Sequence, residues 1–159
     1  MPDRSAYLDA LHLLARRELS VKQLSDRLTD RGHDRGEIER AIEHLLETRE
    51  LDDARVAAAY VRSAIKVKRR GRLRVQQELS EMGIARDVAN LALAEGFGDV
   101  DERAQIAAAI RKKLHGKTKI ATPADYARVY QFLMRQGFSP AGVSAALRAQ
   151  RRGVADDAC

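Results

Sequence analysis

The chain has 159 residues, 45% apolar and 33% charged, with a net charge of +6 and a pI near 9.8. Such a balance suits one packed domain or a few small modules and excludes a chain disordered throughout. No run approaches the ~20 apolar residues that span a bilayer, the start MPDRSAYLDA lacks an apolar signal region, and Cys159 alone supports neither an internal disulfide nor a metal-ligand spacing. A cytoplasmic protein without metal or cofactor is expected.

In chain order, Tyr7, Leu11 and Leu14 share one helical face. Ser20 and Gln23 form a capping box ahead of Leu24 and Leu28, and Gly32 follows four residues later. Asp34 and Glu37 open a helix with Ile38, Ala41 and Ile42 on its face. The order then repeats. Asp52 or Asp53 caps a helix bearing Val56, Tyr60 and Ala64; Val75 and Leu79 lead to Gly83; Val88, Leu91 and Ala92 form the next face. A third round has Ile106, Ile110 and Leu114, then Thr122-Pro123 before Val129, Leu133 and Gly137, then Ser139-Pro140 before Val143, Ala146 and Leu147. In each round an apolar pair four apart leads to a glycine suited to a left-handed helix end. These glycines are 51 and 54 residues apart.

The predicted fold is therefore all-α: three tandem three-helix repeats stacked in an elongated array. Expected boundaries are 1–51, 52–98 and 99–153, with a flexible tail at 154–159. The three repeats are progressively more basic, with the first acidic. No sustained period-2 alternation or hairpin turn argues for strands.

Two segments concentrate positive charge. One holds Lys66, Lys68, Arg69, Arg70, Arg72 and Arg74; the other holds Arg111, Lys112, Lys113, Lys117 and Lys119. Both fall at a helix end and the loop after it. Helix-dipole complementation needs only two or three such cations, so phosphate or an acidic partner is the expected contact. Arg148, Arg151 and Arg152 add a third basic group on the last helix. Seven aromatics and no Trp supply no base-stacking platform. Tyr60, Tyr126 and Tyr130 are expected in the core, and any direct DNA contact should be weak and to the phosphate backbone.

Catalysis is not expected. His12, His33, His44 and His115 lack metal-ligand spacing, no nucleophile elbow or phosphate-cradling loop occurs, and a helix start explains Asp52-Asp53.

The run Leu51-Asp52-Asp53-Ala54-Arg55, then Gly71-Arg72-Leu73-Arg74-Val75, Glu78-Leu79 and Met82-Gly83-Ile84, resembles the middle repeat of the RecX family. The first and third repeats fit in register through Leu24…Leu28…Gly32 and Phe132-Leu133…Gly137-Phe138, so the resemblance covers nearly the whole chain. It departs at Val56-Ala57-Ala58, where an aromatic is frequent, and at Gln23, where Glu is common. The resemblance implies a non-enzymatic, monomeric regulator that binds the RecA recombinase filament on single-stranded DNA. RecX-like proteins lodge in the filament's groove and limit or reverse its growth. The basic residues named above would be the contacts.

The alternative is a helix-turn-helix DNA binder, sequence-specific or not. The helix after Gly32 is acidic and the one after Gly83 is apolar and acidic, which makes both poor base readers. Only Arg148, Arg151 and Arg152 suit that role.

Overall fold

A computed structural model of the chain describes residues 5–115 and 120–156. Among them are nine α-helices and no strand. They are α1 (Ala6–Leu14), α2 (Val21–Asp30), α3 (Arg35–Glu47), α4 (Asp53–Lys66), α5 (Arg72–Glu81), α6 (Arg86–Phe97), α7 (Glu102–Lys113), α8 (Pro123–Arg135) and α9 (Pro140–Asp156). Three rounds of three helices are thus present, as the periodicity predicts. The last helix runs past residue 153 to Asp156.

Local chemistry sets the helix starts. Ser20 Oγ accepts from Gln23 N–H while Gln23 Oε1 accepts from Ser20 N–H, a complete capping box. Asp34, Asp101 and Thr122 cap α3, α7 and α8 in the simpler one-sided way. Asp52, rather than Asp53, caps α4, accepting from Ala54 and Arg55 N–H. Asp53 instead reaches back to accept from Val21 N–H at 2.9 Å, adding a second acceptor at the start of α2.

The helix ends carry the repeat. Gly32, Gly83 and Gly137 have φ of +88°, +75° and +88°, a region that strains any side chain. Each closes the same two-bond turn. His33 N–H donates to Leu28 C=O and Gly32 N–H to Thr29 C=O; Ile84 donates to Leu79 and Gly83 to Ser80; Phe138 donates to Leu133 and Gly137 to Met134.

These turns are also docking points. Ser20 Oγ donates to Met82 C=O, so the start of α2 sits on the turn that ends α5. Gly71 N–H donates to Gln136 C=O at 2.7 Å and Leu73 N–H to Gly137 C=O, so the start of α5 sits on the turn that ends α8. At the second contact free N–H groups of one helix start meet free C=O groups of another helix's end, while at the first the donor is the Ser20 hydroxyl. The fit is close: a Cβ on Gly137 would lie 2.3 Å from Arg74 N, and one on Gly83 would lie 2.5 Å from Lys22 Cβ. At Gly32 none of the described residues comes within 4 Å of that position.

The chain divides into two compact units. The first is Met1–Tyr60 with Glu78–Ala92; the second is Val61–Gln77 with Leu93–Cys159. The first has a core of Ala10, Leu13, Leu19, Leu24, Leu28, Ile38, Leu45 and Leu51. Ile106, Ala109, Ile110, Val129, Leu133, Phe138, Val143 and Leu147 form the core of the second.

Two predicted faces differ. In α1 the fully buried residues are Ala6, Asp9, Ala10 and Leu13, while Tyr7, Leu11 and Leu14 flank them half-buried. The helix is apolar nearly all round, and the small alanines take the closest approach. In α6, Ala92 is buried as predicted and Val88 half-buried, but Leu91 is 60% exposed and Ala89 and Leu93 are buried in its place. Tyr60, Tyr126 and Tyr130, predicted as core, are half-buried. Tyr126 and Tyr130 pack against the second core, and Tyr60 donates its hydroxyl to Glu78 at 2.7 Å.

Candidate functional site

The two units differ in charge. By sequence the first carries 11 Lys/Arg against 16 Asp/Glu, and the second 18 against 7, for net charges of −5 and +11. Every basic residue singled out by sequence belongs to the second unit. A surface that basic attracts polyanions or acidic proteins over a Debye length of about 8 Å at physiological salt.

The densest cluster follows α4. Lys66 ends that helix, and Val67, Lys68 and Arg69 are exposed on the loop. Arg69 sits at φ +54°, left-handed backbone that costs an ordinary residue about 1–2 kcal/mol. The loop is held at both ends. Arg70 N–H donates to Ala64 C=O, and Gly71 N–H donates to Gln136 C=O. Exposed Arg72 opens α5. Arg74 is half-buried, and its Nη1 donates to Arg135 C=O at 3.2 Å, so it also secures α5 to the end of α8.

Arg111, Lys112 and Lys113 are exposed in the last turn of α7, where they oppose the helix dipole. Lys113 Nζ lies 5.0 Å from the centre of the Phe132 ring. Lys117 and Lys119 lie outside the described residues. Arg148, Arg151 and Arg152 are exposed on α9, and the Arg151 guanidinium stacks 4.5 Å from the Tyr126 ring centre.

Sequence reasoning missed Arg103. It joins Arg148 and Arg152, one helical turn apart on α9, along a groove of about 580 Å³ that Glu102 and Gly142 also line. Arg103 lies some 12 Å along α7 from Arg111, at 1.5 Å per residue. The signal was available in the i, i+4 pair on α9, but nothing in sequence placed the start of α7 beside it.

The first unit has a polar site of its own. His33 occupies the turn position that is Ile84 and Phe138 in the other rounds. In place of an apolar contact, His33 Nε2 lies 2.9 Å from Oδ2 of buried Asp9, and Arg31 Nη1 lies 3.2 Å from Oδ1. The hydrogen bond from His33, with the Arg31 and His33 charges, holds the Asp9 carboxyl below its ordinary value near 3.8 against the opposing effect of burial. Burial raises Asp53 above that value, although the Val21 N–H bond opposes the shift. Among the described residues, no three His, Cys, Asp or Glu side chains gather as metal ligands, and no helix is long and apolar enough to cross a membrane.

Three tandem three-helix repeats, with a strongly basic second unit, place the chain among helical-repeat proteins. Comparison with known proteins makes the class specific. Three family models match in order: RecX, first three-helix domain, over residues 6–45; RecX, second three-helix domain, over 52–93; and RecX, third three-helix domain, over 101–147. The chain is 36% identical over 146 residues to a regulatory protein RecX of Vibrio parahaemolyticus, spanning 92% of each chain. It is 39% identical over 140 residues to that of Halorhodospira halophila, covering 88% of this chain and 84% of the relative. The crystal structure of RecX from Lactobacillus salivarius shares the fold with a TM-score of 0.72 at 21% identity, over 92% of this chain and 94% of that one. The chain belongs to the RecX family of regulatory proteins.

Proposed function

We propose that the chain binds RecA nucleoprotein filaments on single-stranded DNA and inhibits or destabilises them, so modulating recombination, DNA repair and the SOS response. Family membership supports this reading, and the observation that carries it is the charge of the second unit, net +11, displayed on exposed loop and helix-end cations. The filament groove offers both DNA phosphates and protein surface to such a face. The chain acts by occupancy and not by chemistry of its own, as a monomer in the cytoplasm, with weak backbone contact to bare DNA.

A helix-turn-helix reading has less support. The exposed positions of α3 include Glu37, Glu39, Glu43 and Glu47, which would repel phosphate. Co-sedimentation with RecA assembled on single-stranded DNA, set beside bare DNA and RecA without DNA, tests the proposal. Retention by the filament well above either component alone is expected. Equal or stronger retention by bare duplex DNA would favour the alternative.

A further inference from the structure

A second concave surface in the second unit adjoins the basic groove on α9 and shares Glu102 with it. It is a pocket of about 340 Å³ lined by Arg72 and Leu73 of α5, Phe97, Val100, Glu102, Gln105, Gly137 and Ser139. Four observations bear on what enters it. Leu73 is 54% exposed at its edge, and with Phe97 and Val100 it gives the pocket an apolar lining. Gln105 Nε2 is buried and, among the described residues, has no hydrogen-bond partner. A buried donor left unpaired is costly and calls for an acceptor from outside. Glu102 is already engaged, accepting from Ser139 N–H at 2.7 Å and from Ser139 Oγ at 2.8 Å, so it does not supply that acceptor. Arg72 stands exposed at the rim, directly after the Lys66–Arg70 cluster.

We infer that this pocket anchors an apolar side chain from an acidic segment of the protein component of the filament. A backbone carbonyl of that segment accepts from Gln105 Nε2, and a neighbouring carboxylate pairs with Arg72. Small apolar pockets with a polar rim are where interface hot spots collect. The apolar lining of Leu73, Phe97 and Val100 suits an apolar side chain and not a nucleic-acid phosphate. The assignment deepens the filament-binding reading and rests on it.

The test uses the full chain with Val100→Phe, which fills the pocket, and Gln105→Met, which removes the unpaired donor at nearly constant volume. Affinity for RecA filaments and for bare single-stranded DNA is measured side by side with the melting midpoint. Each variant should bind filaments at least tenfold more weakly, with bare-DNA binding unchanged. Gln105→Met should melt no lower than the parent, since it loses a donor with no protein partner; if Val100→Phe does not fold, Gln105→Met decides. Folded variants that bind filaments as the parent does would overturn the pocket assignment while leaving the proposed function intact. Parallel loss of bare-DNA binding would identify the occupant as nucleic acid and also overturn it. A parent chain that fails to bind filaments would sink the functional reading, and the pocket assignment with it.

Discussion

Gly137→Ala and Gly32→Ala form a matched pair. Both glycines have φ +88° and both close the same helix-ending turn. Left-handed backbone alone should cost either alanine about 1–2 kcal/mol. At Gly32 nothing more is added, because no described residue lies within 4 Å of the new Cβ. At Gly137 the Cβ would fall 2.3 Å from Arg74 N and 2.4 Å from Arg74 Cβ, and the first of these is backbone that no rotamer change can move. Overpacking of this kind costs about 1–3 kcal/mol. Backing α5 away would lose the bonds from Gly71 N–H to Gln136 C=O and from Leu73 N–H to Gly137 C=O, about 0.5–1.5 kcal/mol each. Whether α5 holds its place or backs away, Gly137→Ala should therefore destabilise by roughly 2–5 kcal/mol, a large share of the 5–15 kcal/mol typical of a folded domain. Urea titration followed by circular dichroism measures both variants. Equal midpoints, or a milder effect at Gly137, would refute the docking of α5 on this turn.

Asp9→Asn should destabilise at pH 7 by about 1.5–3 kcal/mol, the range for a hydrogen bond to a charged group. Because the folded carboxyl lies below 3.8, its stabilisation is present above that pH and is lost as pH falls through the folded value; the gap between mutant and parent melting curves should close there. Asp53→Asn should have the opposite sign. Its folded value is raised, so ionisation costs stability at pH 7 and costs nothing once pH drops below 3.8, and the mutant's higher midpoint should vanish in acid. Arg69→Gly relieves left-handed strain while removing a cation, so the melting midpoint should hold or rise as filament affinity falls. A fall in both would mean that the Arg69 side chain supports the loop itself.

Much of the fold was legible because the repeat is written in backbone necessities. Glycine at a left-handed helix end has few substitutes, and Leu24/Leu28, Val75/Leu79 and Val129/Leu133 are all buried at the expected spacing. The faces of α1 and α6 were less legible. Alanine-rich helices offer several nearly equivalent apolar faces, and only packing decides that Ala10 goes inside and Leu91 outside. Basic residues could be found in sequence, but their engagements could not. Arg74 reaches a carbonyl of Arg135, 61 positions away, and Arg103 joins a groove with Arg148 and Arg152. The Asp9–His33 pair was hidden because His33 stands where the other two rounds carry an apolar residue.

RecA-catalysed ATP hydrolysis on single-stranded DNA, measured with the parent chain and with a variant carrying Arg69→Glu, Arg72→Glu, Arg111→Glu and Lys112→Glu, tests the central claim most directly. All four side chains are exposed, so Arg69→Glu and Arg72→Glu should each shift stability by no more than about ±0.5 kcal/mol and the two reversals in the last turn of α7 by about 0.3–1 kcal/mol each, and the variant should stay folded with its helical dichroism retained. The parent should suppress hydrolysis at low salt and progressively less as salt rises. The variant should suppress it far less at the same concentration, because four attractions have become repulsions. A folded variant that suppresses hydrolysis as strongly as the parent would contradict the assignment of the second unit's basic face as the filament-binding surface.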